Sequence, residues 1–187
     1  SKNKDFQISV AKNCQYFTSD CFLLKPLMQI PKYLISYSFL DKIKSKVDFL
    51  GINFYMHIQP STLFFRKKGD LYSDMGWYMK PSSIYYVLKD SYILYNIPII
   101  ITENGLADEK DEHRRWWIDE TVESLDKCLK EGVDIRGYMH WSLLDNFEWD
   151  SGFWPRFGLV SIDYETKERE IKRSGRYYGD LVKRFST

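Results

Sequence analysis

The sequence predicts an α/β fold built on a parallel sheet with helices packed outside it. Three observations predict it. Short apolar runs rich in β-branched and aromatic residues recur at 47–55, 97–103 and 135–142. Amphipathic helical patterns separate them, and the second run stops at Asn104-Gly105, a turn signal. Strands buried on both faces read as continuous apolar segments, as these do. Three strands fall short of a closed eight-stranded barrel, which takes about 250 residues. The 187-residue chain is therefore either a small open α/β domain or part of a barrel.

Each element has its own warrant. Residues 1–46 mix helix-like stretches with Pro26 and Pro31, and 41–46 is polar, so no element is assigned there. Val47 to Tyr55 is short, apolar and aromatic, the pattern of a buried strand. The polar, glycine-containing stretch Arg66 to Gly76 reads as loop. Pro81 opens a helix that runs to Tyr95, since proline suits a first helical turn. Ile97 to Glu103 is the second strand. Glu112 to Lys130 is a helix with Ile118, Val122, Leu125 and Leu129 on one face and Gly132 just past its end. The third strand lies around Ile135 to Ser142. Phe157 to Tyr164 and Glu168 to Lys172 predict a hairpin, and Ser174 to Phe185 a terminal helix. The sequence holds no internal repeat or low-complexity tract.

Composition excludes several function classes. Lys and Arg number 27 against 26 Asp and Glu, a net charge of +1. That leaves no electrostatic footprint for nucleic acid or an anionic membrane. Hydrophobic content of 44% with 28% charged residues excludes global disorder. The aromatic share is high at 17%, with 14 Tyr, 12 Phe and 6 Trp, which suits a core and also a site that stacks on sugars. Cys14, Cys21 and Cys128 are odd in number and scattered, so no disulfide framework is expected. With no Cys-x-x-Cys pair and no cluster of histidines, no structural zinc is expected either. The polar start, 1–5, is not a signal-peptide pattern, and 97–101 is too short to span a bilayer. The expectation is a cytoplasmic protein.

Functional residues of parallel α/β folds collect at the carboxyl ends of the strands. Here those ends carry Asn53 and Tyr55, then Glu103-Asn104, then Trp141 running into Leu144 to Trp149. A carboxylate after an apolar strand, beside a tyrosine and several tryptophans, fits half of a sugar-cleaving site. Asp145 and Asn146 are read as structural supports, His140 as a satisfied buried histidine, and Asp108 to Glu112 as a solvated, helix-opening charge cluster. His57 and His113 carry no motif signal.

Together Ile101-Thr102-Glu103-Asn104-Gly105, Arg136-Gly137-Tyr138, Trp141 to Trp149, Arg156 to Val160, Phe49 to Tyr55 and Met75-Gly76-Trp77 resemble glycoside hydrolase family 1. These are retaining β-glucosidases and β-galactosidases. Residues 107–138 are most similar to the archaeal-type β-glycosidases, and the resemblance covers roughly 45–185. It implies the carboxyl-terminal part of a (β/α)8 TIM barrel. The three strands would be its sixth to eighth, with 1–46 the segment before strand six and 47–187 the partial catalytic domain.

The resemblance also implies roles. Glu103 matches the catalytic nucleophile and Tyr55 the tyrosine that contacts it. Trp141 matches the platform under the sugar, and Glu148 and Trp149 the pair that hydrogen-bonds its hydroxyls. Phe157 matches an apolar wall of that subsite, Trp77 the leaving-group side, and Asn53 a residue near the nucleophile. A carboxylate at 148 favours unphosphorylated β-linked sugars, since it repels phosphate. No metal or organic cofactor is implied. The family's acid/base glutamate has no counterpart motif in this sequence. The implied partner is therefore a complementary polypeptide carrying the first five barrel strands and that glutamate, or self-association. The alternative reading is a non-catalytic carbohydrate-binding or structural remnant.

Overall fold

The computed structural model describes residues 6–64 and 68–185. The reading of residues 1–5, and of 66 and 67 at the start of the expected loop, lies outside the described residues. The chain opens with strands β1 (Ala11–Asn13) and β2 (Tyr16–Phe17). Short helices α1 (Gln29–Lys32) and α2 (Ser38–Ile43) follow, joined by a π-helical turn at Tyr33–Tyr37. Then come β3 (Leu50–Phe54), β4 (His57–Ile58), α3 (Pro60–Phe64) and α4 (Ile84–Tyr95). Strand β5 (Ile99–Gly105), helix α5 (Arg114–Lys130) and strand β6 (Ile135–Trp141) complete the alternating part. A hairpin of β7 (Val160–Ile162) and β8 (Arg169–Ile171) leads into α6 (Arg173–Phe185).

The central sheet has the order β1-β3-β5-β6, and every pair in it is parallel. Four strands replace the three expected. The added strand is Ala11–Asn13, which pairs with Gly51 to Asn53. Residues 1–46 are thus not only a lead-in to strand six. Three residues are too few to show a periodicity, so the strand is held by its neighbour's backbone rather than announced by its own pattern. Small pairs β2-β4 (parallel) and β7-β8 (antiparallel) flank the sheet.

Alternation along the strands places the core. Leu50, Ile52 and Phe54 of β3 and Ile99 and Ile101 of β5 are fully buried on the side that meets the helices. Helix α4 supplies Ile84, Val87, Leu88 and Ser91, a stripe at helical spacing. A 3-10 turn at Pro81–Ser83 opens it, and Asn96 stops it in the left-handed region at φ 51.

Helix α5 buries Arg114, Trp117, Ile118, Thr121, Ser124, Leu125 and Cys128. Its buried face is therefore rotated from the expected one. Leu129 is 50% exposed and Val122 only partly covered, because polar Arg114 and Thr121 find partners inside. The acidic run before it is also not simply solvated. Asp108 is buried, and its carboxylate accepts the backbone N–H groups of Glu112, His113 and Arg114. That arrangement satisfies donors that open every helix. Asp111 pairs with the fully buried Arg114, whose guanidinium also donates to the carbonyls of Asp108 and Arg156 at 2.6 and 2.8 Å.

Gly105 and Gly158 permit the two tightest of several close approaches. Gly105 lies opposite Trp141, and a Cβ there would come 1.6 Å from the Trp141 carbonyl oxygen. At Gly158 a Cβ would come 2.3 Å from the Asp145 nitrogen. Gly137, by contrast, would place its Cβ 3.5 Å from Ile100, an ordinary contact. Gly105→Ala is therefore expected to destabilise the fold by about 3 kcal/mol or more, while Gly137→Ala stays within about 1 kcal/mol of the parent. Urea unfolding midpoints check both.

Candidate active site

Adjacent strand ends bring the first pair together. Tyr55 follows the last residue of β3, and Glu103 lies near the end of β5. The Tyr55 hydroxyl donates to Glu103 Oε2 at 2.7 Å. Burial, and then the bond to Glu103, raise the Tyr55 pKa above its ordinary value. The phenol therefore stays protonated and remains a donor to the carboxylate.

Aromatic rings support Tyr55. Its centroid lies 6.0 Å from that of Trp77 and 6.1 Å from that of Phe157, both edge-on. Trp77 and Phe157 close the triangle at 6.2 Å. Such edge contacts fix ring orientation as well as burying area. Phe157 is only 2% exposed, so in this structure it packs beneath Tyr55 and Trp77 and presents little open wall.

The second group forms where β6 ends. The Trp141 indole N–H donates to Glu148 Oε1 at 3.0 Å, which fixes the ring against the carboxylate. The Trp141–Ser142 peptide is cis. Burial raises the Glu148 pKa and the negative charge of Glu103 adds to the rise, while the Trp141 bond pulls it back. Two carboxylates in mutual electrostatic reach and the aromatic residues Tyr55, Trp77, Phe157 and Trp141 thus share one end of the sheet. Trp149 is 84% exposed in a 3-10 turn, Trp149–Ser151. It is next to Glu148 in sequence but is not packed with Trp141.

Asn53 is the ladder partner of Glu103, but its side chain bonds elsewhere. Its Oδ1 accepts the Thr102 hydroxyl at 2.5 Å. Asn104, read from the sequence as a turn signal beside Glu103 at a strand end, is fully buried. Its Nδ2 donates to the Phe54 carbonyl at 2.7 Å. Its Oδ1 sits among Trp117 Nε1, Thr121 Oγ1 and the Tyr138 hydroxyl at 3.0, 3.2 and 3.1 Å. Its turn-like partner Gly105 hid this role. The pairing of polar Thr121 and Trp117 on the buried side of a helix was the available signal.

Asp145 holds the loop between Trp141 and Glu148, as expected of a support. Its Oδ1 accepts the Gly158 N–H at 2.8 Å, and Arg156 and Lys172 flank it at 3.4 and 3.5 Å. His140 departs from expectation. Its Nδ1 meets the Tyr138 hydroxyl at 3.3 Å, but its buried Nε2 has no partner among the described residues. Among the described residues no group of three or more His, Cys, Asp or Glu could hold a metal ion. No described helix is long and apolar enough to cross a membrane.

Comparison with known proteins bears on this geometry. Residues 29–186 match the sequence model of glycosyl hydrolase family 1. Beta-glucosidase A of Thermotoga maritima is 37% identical over 161 residues, 77% of this chain and 36% of that protein. A beta-galactosidase of Sulfolobus acidocaldarius is 33% identical over 160 residues, 76% of this chain and 33% of that protein. The chain thus spans about a third of the length of these relatives. The crystal structure of Fpglu1 from Fervidobacterium pennivoraus superposes with a TM-score of 0.88 at 30% identity, over 96% of this chain and 44% of that one. The family 1 β-glucosidase from Thermotoga maritima in complex with isofagomine lactam gives 0.86 at 29% identity, over 96% of this chain and 51% of that one.

The buried imidazoles generate a pH prediction. Burial lowers the pKa of His57 to about 4 and of His140 to about 3. An unfolded histidine takes up a proton near about pH 6.5, so below that the unfolded chain binds more protons than the folded one. Stability is therefore full above about pH 6.5 and falls as the pH drops toward the folded values, by up to about 1.4 kcal/mol per pH unit for each group. Urea midpoints measured down to about pH 4.5 are expected to fall, and His57→Gln to flatten part of that fall.

Proposed function

Because the chain belongs to glycosyl hydrolase family 1, we propose that it carries the nucleophile side of a retaining β-glycosidase for unphosphorylated β-glucosides or β-galactosides. The observation that carries the reading is the Tyr55–Glu103 hydrogen bond at 2.7 Å across adjacent strand ends. In this reading Glu103 attacks the anomeric carbon while the bond to the leaving oxygen breaks. A covalent glycosyl ester forms, and water later displaces it through a second oxocarbenium-like transition state. Tyr55 holds one carboxylate oxygen and stabilises its charge, which leaves the other oxygen for attack.

The remaining residues bind. Trp141 offers a flat face to the sugar, oriented by its bond to Glu148. The other oxygen of Glu148 is an acceptor for sugar hydroxyls, with the Trp149 indole N–H as the matching donor. A phosphate on the sugar would meet the Glu148 charge and be repelled. Trp77 belongs to the leaving-group side, with Phe157 behind it.

Retention requires a second carboxyl group about 5–5.5 Å from the nucleophile, which protonates the leaving oxygen. In this reading that acid comes from a polypeptide segment outside the residues of this chain. The segment need bring four strands rather than five, since this chain already holds four parallel strands of a fold that closes at about eight. The free edges of β1 and β6 are where those strands would join.

A reagent whose leaving group needs no acid tests the nucleophile by itself. Incubation with 2,4-dinitrophenyl 2-deoxy-2-fluoro-β-glucoside is expected to add one fluoroglucosyl group to the peptide bearing Glu103, and none to Glu103→Gln. Tyr55→Phe is expected to slow labelling by about 10- to 100-fold, the worth of a hydrogen bond to a charged group. Sugar binding without any label would replace this reading with that of a non-catalytic carbohydrate-binding module.

A further inference from the structure

Three consecutive residues of β5 reach three consecutive residues at the end of β3, the last of them just past the strand. Thr102 donates to the Asn53 side chain, Tyr55 donates to Glu103, and Asn104 donates to the Phe54 carbonyl. A regular strand forbids this pattern, because successive side chains point to opposite faces. Ile99 and Ile101 lie in the core with the helices, so regular alternation would send residue 103 there too. Instead Asn104 meets Trp117 and Thr121 of α5, while Thr102 and Glu103 meet Asn53 and Tyr55 on the other face.

The register explains the change. Ile52 pairs with Ile101, but Asn53 pairs with Glu103, so Thr102 is an extra residue against β3. The β5–β6 pairing shifts over the same stretch, between Ile101 and Asn104. Such a bulge re-aims a side chain at the expense of local ladder hydrogen bonds. Something other than the ladder must then hold it.

We propose that Thr102 and Asn104 are positioning residues whose side chains pin this bulge and so present Glu103 to Tyr55; the inference rests on Glu103 being the nucleophile. Neither residue touches a reacting atom. Thr102 fixes the bulge from the cleft side through the Asn53 oxygen. Asn104 fixes it from the helix side. With three donors around its Oδ1, its Nδ2 must face the Phe54 carbonyl, and a flipped amide would set donors against donors. Phe54 precedes Tyr55 and Asn104 follows Glu103, so this one buried bond sets the register of the pair that meets on the opposite face.

Thr102→Val keeps the branched shape and removes only the donor. It is expected to lower the first-order labelling rate at saturating fluoroglucoside by about 10- to 100-fold while the half-saturating concentration changes little. Thr102→Ser, which restores the hydroxyl, is expected to recover most of that rate. Asn104→Asp puts an oxygen against the Phe54 carbonyl and is expected to have the larger effect. Crystal structures of the variants supply a second readout that needs no activity: the Tyr55–Glu103 distance should open beyond about 3.5 Å. Parent-like labelling by Thr102→Val, or a Tyr55–Glu103 bond unchanged in both variants, overturns the inference. A parent that takes no label sinks the glycosidase reading, and the distance in the variants still decides whether the bulge is pinned as described. Should Asn104→Asp not fold, Thr102→Val carries both measurements.

Discussion

The amide of Asn104 is the constraint on which the rest of the structure depends. It is fully buried, and its hydrogen bonds reach β3, α5 and β6 at once. A buried amide with an unmade bond costs about 1–3 kcal/mol, so the backbone and side chains around it have one arrangement that satisfies all of them. That arrangement fixes the heights of neighbouring strands against each other. Tyr55, Glu103 and Trp141 then project from strand ends whose relative positions are already determined. The polar centre specifies the geometry that the apolar core of Leu50, Ile52, Phe54, Ile99 and Ile101 stabilises without specifying.

Acidic residues divide into two populations by what surrounds them. Asp108, Asp111 and Asp145 are spent on backbone and cations. Asp108 terminates helix α5, Asp111 holds Arg114 and Ser174, and Asp145 ties Gly158, Arg156 and Lys172 to the loop before Glu148. Glu103 has a phenol at hand as neutral side-chain donor, and Glu148 has the Trp141 indole and the Asn146 amide. A carboxylate saturated by cations and amides is a structural clamp. One held by one or two neutral side-chain donors keeps lone pairs for something else.

Much of this was legible. The strands around Leu50–Phe54, Ile99–Gly105 and Ile135–Trp141 carry apolar runs of the kind found in parallel sheets, and the helices between them carry helical spacing. Glu103, Tyr55 and Trp141 stand at strand ends and Glu148 in the loop after β6, and the fold brings each named pair within hydrogen-bond reach. What stayed hidden was of two kinds. Ala11–Asn13 is a strand by virtue of its neighbour, and three residues hold no period. The bulge at Thr102 depends on a register between strands nearly fifty residues apart in sequence, which no local pattern encodes. The exposure of Leu129 and the burial of Asp108 are errors of the same origin, since both were judged by residue type and decided by partners.

The sheet order has a consequence for how the molecule comes apart. Strands β3 and β5 are interior, each flanked by two others, whereas β6 is flanked by one. Amide exchange in such a sheet proceeds from the rim inward, since rim opening exposes less apolar surface. The tyrosine–carboxylate pair thus sits on the slowest-exchanging strands and Trp141 on a fast one. Under mild stress the flat indole surface detaches from its register while Glu103 and Tyr55 are still together. Under the proposed function, partial opening therefore separates sugar binding at Trp141 from the reaction at Glu103, and binding is lost first.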